Sequence, residues 1–245
     1  MKMAYATEVV GTYFLVLTVG LTSLSQTPFA PLAIGCSLMI MVYMGGHVSG
    51  AHYNPAVTLA VWMRGKLPAG DVVPYWIAQL IGAVVAALTV LYLTGKTFAA
   101  APGTDVTMGR ALTVEAIFTF ALALVVLNSA TARQTEKNSF YGLAIGFTIV
   151  VAAFAGGGIS GGAFNPAVGV GPMLIDTLMG HGSLANAWLY LVGPLAGGAL
   201  AALFFRAQNP EPEPGSAIPG APPGEARVKE GEFTAPRPGG PASSL

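Results

Sequence analysis

The amino-acid sequence predicts an all-α membrane protein with six transmembrane helices and two re-entrant half-helices, arranged as an inverted repeat. The first observation is composition: 9% of the 245 residues are charged and 53% are hydrophobic, whereas soluble domains carry about a quarter charged residues. The second is a set of eight apolar segments, of which six are long enough to span a membrane. The third is an internal repeat that relates the two halves of the chain.

Long runs without charge define the six spans. No Asp, Glu, Lys or Arg occurs from residue 9 to 63 or from 138 to 175, and a transmembrane helix needs about 20 mainly apolar residues. The predicted spans cover residues 3–24, 31–48, 72–94, 109–131, 139–157 and 185–206. Small residues around Gly82 in the third span and Gly197 in the sixth predict close helix contacts.

Two remaining apolar segments, 54–64 and 165–175, are too short to cross a membrane. Ten helical residues extend about 15 Å, half of a hydrocarbon core about 30 Å thick. Each segment begins with Asn-Pro-Ala, in which Asn is a favoured N-cap and Pro suits the first helical position. We therefore expect half-helices that enter from opposite sides. The motifs comprise Asn54, Pro55 and Ala56, and Asn165, Pro166 and Ala167.

Three motifs recur in the same order and predict two related halves, about 1–100 and 105–206. The TEVVGTYF motif around Glu8 is echoed by VEAIFTF around Glu115, SGAHYNPAV returns as SGGAFNPAV, and AQLIG corresponds to GPLAG. Because each half contains three spans, an odd number, the second half must insert upside down. Inverted repeats with interrupted helices at corresponding places mark a pathway near the membrane midplane.

Composition changes beyond Arg206. Residues 207–245 hold nine of the eighteen prolines and five of the eleven acidic residues, which is typical of disorder. We interpret this segment as a dispensable solvated tail that follows a channel domain of residues 1–206. The alternative is a regulatory or targeting segment.

Basic residues predict the orientation, because cytoplasmic loops are enriched in them. Only two, Lys96 and Arg110, lie on one side of the predicted layout. The other side holds Lys2, Arg64, Lys66, Arg133, Lys137 and Arg206. Both termini are therefore expected in the cytoplasm, with the chain crossing the cell membrane several times.

Residues 1–206 resemble the aquaporin, or major intrinsic protein, family. The resemblance rests on both Asn-Pro-Ala motifs, the Ser-Gly-Ala-His segment that precedes the first, and a Glu in the first and fourth spans. The resemblance implies that the half-helices meet head to head at the membrane centre. There the amides of Asn54 and Asn165 would donate hydrogen bonds to a passing oxygen. The positive ends of both helix dipoles would face the same point and oppose cations.

The loops that precede the two motifs need hydrogen-bond partners at membrane depth, and a water-filled pore supplies them. We expect a ladder of carbonyl acceptors from Gly50, Ala51, His52, Gly161, Gly162 and Ala163. Glu8 and Glu115 are ionisable groups inside apolar spans. A proton relay or ion site is one interpretation, whereas the resemblance implies that each carboxylate braces a loop. We expect His47 to pack against or bond the first loop, and His52 to line the pore.

Most members of the family carry Arg three residues after the second Asn, and this chain has Val168 there. Counting from the motifs places the other three selectivity positions at Ile34, Ala153 and Gly162. All four residues are apolar or very small. The sequence therefore predicts an outer mouth that is wider and more apolar than that of a strict water pore.

The predicted function is a passive channel that conducts water and small uncharged solutes and excludes ions and protons. One alternative is a broad facilitator for ammonia, urea, hydrogen peroxide or glycerol, with water incidental, and another is an ion-coupled secondary transporter. The resemblance implies a homotetramer in the lipid bilayer. An enzyme is not expected, because no nucleophile–base pair occurs in the spans. Zero net charge predicts no nucleic-acid partner. The three scattered His residues and the single Cys predict no bound metal, and no cofactor is expected.

Overall fold

The computed structural model describes residues 2–210, in which every regular element is helical and no strand occurs. Six of the helices are long and apolar enough to cross a membrane, so the predicted fold class is confirmed. The helices are α1 (Lys2–Leu24), α2 (Ala30–Ser49), α3 (Pro55–Met63), α4 (Ala69–Thr94), α5 (Met108–Ala130), α6 (Tyr141–Ser160), α7 (Pro166–Leu178) and α8 (Ala187–Gln208).

Helix boundaries differ from the predicted spans by two to three residues where capping, and not hydropathy, sets the end. Helix α4 begins after Pro68, which is extended, and α6 continues to the left-handed Gly161. Helix α8 continues to Gln208, two residues into the segment predicted to be a tail. Residues 211–245 of that tail lie outside the described residues.

The contacts between helices repeat in the two halves. Helix α1 packs against α2 and α4, and α5 packs in the same way against α6 and α8. The short helices cross between halves, because α3 contacts α8 and α7 contacts α4. The pairs α2–α6 and α3–α7 lie on the axis that relates the halves. This is the arrangement that an inverted repeat predicts.

Glycines allow the helix backbones to approach closely. A methyl group on Gly82 would collide with the α1 backbone, and one on Gly197 would collide with the α5 backbone. On the central axis, a Cβ on either Gly35 or Gly146 would lie 2.5 Å from the carbonyl oxygen of the other. The prediction of close packing at Gly82 and Gly197 is therefore confirmed.

Candidate functional site

The two short helices begin with the same capping geometry. Asn54 and Asn165 have extended backbones, and the Oδ1 atom of each accepts a hydrogen bond at 2.9 Å from the N–H of the Ala two residues later. Proline occupies the first helical position in both helices. Each asparagine thus satisfies one of the free N–H groups that its helix presents at its N-terminus.

The amide nitrogens of the two asparagines bond across the junction between the halves. Asn54 Nδ2 donates to the Phe164 carbonyl oxygen at 2.9 Å, and Asn165 Nδ2 donates to the Tyr53 carbonyl oxygen at 2.8 Å. Both side chains are almost fully buried, with exposed fractions of 3% and 4%. Because an amide nitrogen carries two N–H groups, each asparagine keeps one donor for another acceptor.

The loops before the asparagines share an unusual backbone conformation. The φ angles are 83°, 52° and 48° at Gly50, Ala51 and Tyr53, and 89°, 67° and 48° at Gly161, Gly162 and Phe164. Left-handed conformations at Ala, Tyr and Phe are unfavourable and persist only when the surrounding structure enforces them.

Glu8 holds the first loop in this conformation. Its carboxylate is fully buried on α1 and accepts four hydrogen bonds. Oε1 accepts from the Ser49 hydroxyl at 2.7 Å and the His52 N–H at 2.9 Å, while Oε2 accepts from the Tyr53 N–H at 2.7 Å and Gln79 Nε2 at 2.8 Å. These donors satisfy a charge that would otherwise be costly to bury.

Glu115 does the same for the second loop from α5. Oε1 accepts from the Ser160 hydroxyl at 2.7 Å and the Ala163 N–H at 3.0 Å, and Oε2 accepts from the Phe164 N–H at 2.6 Å. Glu115 is also fully buried. Both carboxylates therefore contact loop backbone and neighbouring side chains, which is the geometry of a brace.

Sequence reasoning missed the serines and tyrosines that complete these braces. Tyr75 donates to the Ser49 carbonyl oxygen at 2.8 Å, and Tyr190 donates to the Ser160 carbonyl oxygen at 2.6 Å. The two tyrosines have the same separation as the AQLIG and GPLAG motifs that follow them. That shared spacing is the signal that could have identified them.

One part of the network has no counterpart in the second half. Thr58 Oγ1 lies 3.2 Å from His52 Nδ1, accepts from Gln79 Nε2 at 2.9 Å, and donates to the Asn54 carbonyl oxygen at 3.1 Å. The imidazole of His52 is thereby held in place beside the first loop. At the three equivalent positions the second half has Ala163, Gly169 and Pro194.

Two cavities meet beside these loops. One, of about 230 Å³, is lined by both asparagines and by the four predicted selectivity positions, Ile34, Ala153, Gly162 and Val168. The other is a wider vestibule that Ser49, Gly50, Lys66 and Arg133 help to line. His52, Val126 and Ile145 line both cavities, so the two adjoin at this level.

His47 does not bond the first loop. Its side chain is exposed and lines the vestibule, and it makes no hydrogen bond to any residue of the described part of the chain. The expectation was that it packs against or bonds the first loop, and the bonding part is wrong. The neighbouring Ser49 bonds Glu8 instead.

Six loop carbonyls face no protein donor. Within residues 2–210, no N–H or O–H donates to the carbonyl oxygens of the residues predicted to form the ladder. These residues are Gly50, Ala51, His52, Gly161, Gly162 and Ala163, and all of them line one of the two cavities. A carbonyl oxygen is a strong hydrogen-bond acceptor, so these six remain free to accept from molecules in the cavities.

The first cavity is lined mainly by apolar side chains. Among its lining residues none is Lys or Arg, and its polar side chains are Ser23, His52, Tyr53, Asn54 and Asn165. No residue of the loop 95–107, between α4 and α5, lines it. No basic side chain of the described residues therefore narrows the cavity that Val168 lines.

Comparison with known proteins shows what the chain resembles. The profile of the major intrinsic protein family matches residues 1–205. The chain is 38% identical to Aquaporin NIP1-1 of Zea mays, over 78% of this chain and 69% of that protein. It is 33% identical to Glycerol uptake facilitator protein-like 6 of Lactiplantibacillus plantarum, over 84% and 98%. The structure superimposes on the aquaglyceroporin of Plasmodium falciparum with a TM-score of 0.74 and 25% identity, covering 82% and 93%.

Proposed function

Because the chain belongs to the major intrinsic protein family and is a passive transmembrane channel for water and small uncharged solutes, we propose that its solute path passes between Asn54 and Asn165. The observation that carries this proposal is the reciprocal pair of amide–carbonyl bonds made by the two asparagines that line the first cavity. Each amide has one further N–H, and six carbonyls of the adjoining loops have no protein donor. As a member of a family of channels, the protein is not an enzyme.

Exclusion of cations follows from the same geometry. The N-termini of α3 and α7 meet at the asparagines, and each helix end carries about half a positive elementary charge. A neutral solute can exchange hydrogen bonds between the amides and the carbonyl ladder, so it crosses this point without losing its partners. A cation or a protonated water chain meets a positive potential there and is repelled.

Glu8 and Glu115 take no part in transport in this proposal. Every carboxylate oxygen already accepts at least one hydrogen bond from a loop or a neighbouring side chain. A coupling ion would have to displace those donors and release the strained loops. The channel therefore moves its solutes passively, and the ion-coupled transporter left open by the sequence is not proposed.

The outer mouth selects by size and not by charge. Ile34, Ala153, Gly162 and Val168 line the same cavity, and among the described residues no guanidinium lines it to narrow the opening or to donate hydrogen bonds. Neutral solutes somewhat larger than water should enter with their polar groups towards the loop carbonyls and their hydrocarbon edge towards Ile34 and Val168. Glycerol and urea are neutral solutes of this kind.

The apolar mouth also favours a second candidate, a broad facilitator for ammonia, urea, hydrogen peroxide or glycerol in which water is incidental. The two candidates differ only in the ratio of permeabilities. Stopped-flow measurements on proteoliposomes with water and each of these solutes, compared with protein-free liposomes, give that ratio directly. Glycerol or urea flux above the protein-free rate supports the wide mouth, and flux of water alone contradicts it.

Assembly and orientation are further parts of the proposal. We expect a homotetramer in which each subunit has its own pore, as the family resemblance implies, and light scattering of the purified protein would test it. Cytoplasmic termini in the cell membrane are supported by the basic residues at one end of the bundle. Lys66, Arg133 and Lys137 line the vestibule, and Arg206 donates to the Met63 carbonyl oxygen beside it. Protease accessibility of the C-terminus in sealed vesicles would check the orientation.

A further inference from the structure

Helix α6 presents one continuous face to the first cavity. Ile145, Ile149, Ala153 and Gly157 are spaced by four residues, and all four line that cavity. Residues with this spacing lie on one face of a helix, one turn apart. Gly157 is therefore one turn beyond Ala153, the predicted selectivity position of this helix, and beside the second loop.

At Gly157 the cavity is bounded by backbone alone. A Cβ atom built on Gly157 would have no side chain and no atom of another segment within 4 Å, apart from its immediate chain neighbours, so a side chain there would extend into the cavity. Gly162 lies against it, because a Cβ on Gly162 would be 3.0 Å from the Gly157 Cα atom. Gly162 has a φ of 67° and accepts a side chain only with strain, whereas Gly157 is helical.

Helix packing requires glycine at position 156 but not at position 157. Gly156 is needed for packing, since a Cβ there would lie 2.8 Å from Val114 Cγ1 on α5. Gly158 also has open space around its Cβ position, but it is exposed and does not line the cavity. Gly weakens a helix relative to Ala, so a glycine at 157 lowers the stability of the helix without a gain in packing. It leaves the cavity wider at this level.

We propose that Gly157 is a further size-determining position of the channel, one turn from Ala153, and that its missing side chain admits neutral solutes wider than water, such as small polyols. This inference rests on the proposed function, because it places the same solute path along α6. It adds a position that does not belong to the four selectivity residues predicted from the sequence.

The test compares Gly157→Leu with Gly158→Leu in proteoliposomes. Both variants add the same side chain to adjacent positions of one helix, but only the first adds it to the cavity. Because small differences in fit change discrimination by an order of magnitude, Gly157→Leu should lower glycerol permeability about tenfold, and lower it more than water permeability. Gly157→Ala should have a smaller effect in the same direction. Gly158→Leu should match the parent.

Three results decide the matter. Loss of glycerol flux in Gly157→Leu, with the parental flux kept in Gly158→Leu, supports the proposal. Equal glycerol-to-water ratios in the parent, Gly157→Leu and Gly158→Leu overturn it while leaving the channel function intact. If the parent conducts water but no glycerol, the wide mouth of the proposed function fails instead. Water flux then tests Gly157: a lower rate in Gly157→Leu than in Gly158→Leu supports the position, and equal rates overturn it. Size-exclusion profiles matching the parent establish that each variant is folded.

Discussion

Replacing Asn165 with Asp tests the electrostatic barrier at the centre of the pore. Asp is as good an N-cap as Asn, so its carboxylate can still accept the Ala167 N–H that Asn165 now binds at 2.9 Å. The substitution adds one negative charge at the N-terminus of α7. It also removes the donor to the Tyr53 carbonyl oxygen.

The size of the effect follows from the two helix ends that meet there. Together they carry about one positive elementary charge. At a separation of about 4 Å and an effective dielectric constant of about 20, they repel a monovalent cation by about 4 kcal/mol. That barrier slows passage by about three orders of magnitude. A carboxylate offsets the positive charge, so Asn165→Asp should raise cation flux by up to roughly this factor.

The matched control is Asn165→Ser. Serine also caps a helix and also lacks the donor to the Tyr53 carbonyl oxygen, but it is neutral. Potassium and proton fluxes in proteoliposomes, measured beside water permeability, should rise strongly in the Asp variant and only slightly in the Ser variant. The same pair of substitutions at Asn54 should behave alike, because α3 has the same capping geometry. Equal cation fluxes in the Asp and Ser variants would refute the electrostatic reasoning.

Three further predictions concern the mouth, a brace and the tail. Val168→Arg should narrow the cavity and reduce glycerol or urea flux more than water flux, and an unchanged ratio in liposomes would count against the size argument. In Glu115→Gln the side-chain oxygen still accepts hydrogen bonds from part of the loop. The amide nitrogen, however, is a donor, and it faces the Phe164 N–H, which loses its acceptor. One unsatisfied buried donor costs about 1–3 kcal/mol, so the thermal unfolding temperature in detergent should fall, and the parental value would show that the brace is dispensable. A chain ending after Pro210 should retain assembly and permeability, and loss of either would assign the tail a function.

Local sequence patterns predict much of the fold. Charge-free runs of about 20 residues identify membrane spans because burying an unpaired charge in hydrocarbon is costly, and all six predicted spans correspond to long helices. The Asn-Pro-Ala motifs predict helix starts because capping involves neighbouring residues. The tyrosine braces were missed because Tyr75 and Tyr190 lie in apolar helices, where nothing local distinguishes a hydrogen-bonding tyrosine from one that only packs.

The sequence by itself therefore determined the number of spans, their inverted pairing and the positions of the half-helices. Hydropathy and capping are properties of short segments, and the repeat is visible by comparing such segments with one another. Only the tertiary structure decided the contacts between segments far apart in the chain. Asn54 bonds to a carbonyl 110 residues away, and Glu8 accepts from a glutamine 71 residues away. Three successive glycines, 156–158, are alike in sequence but face a helix, a cavity and the exterior. Which of them limits the pore depends on where α6 lies against its neighbours, because each residue turns the helix face by about 100°.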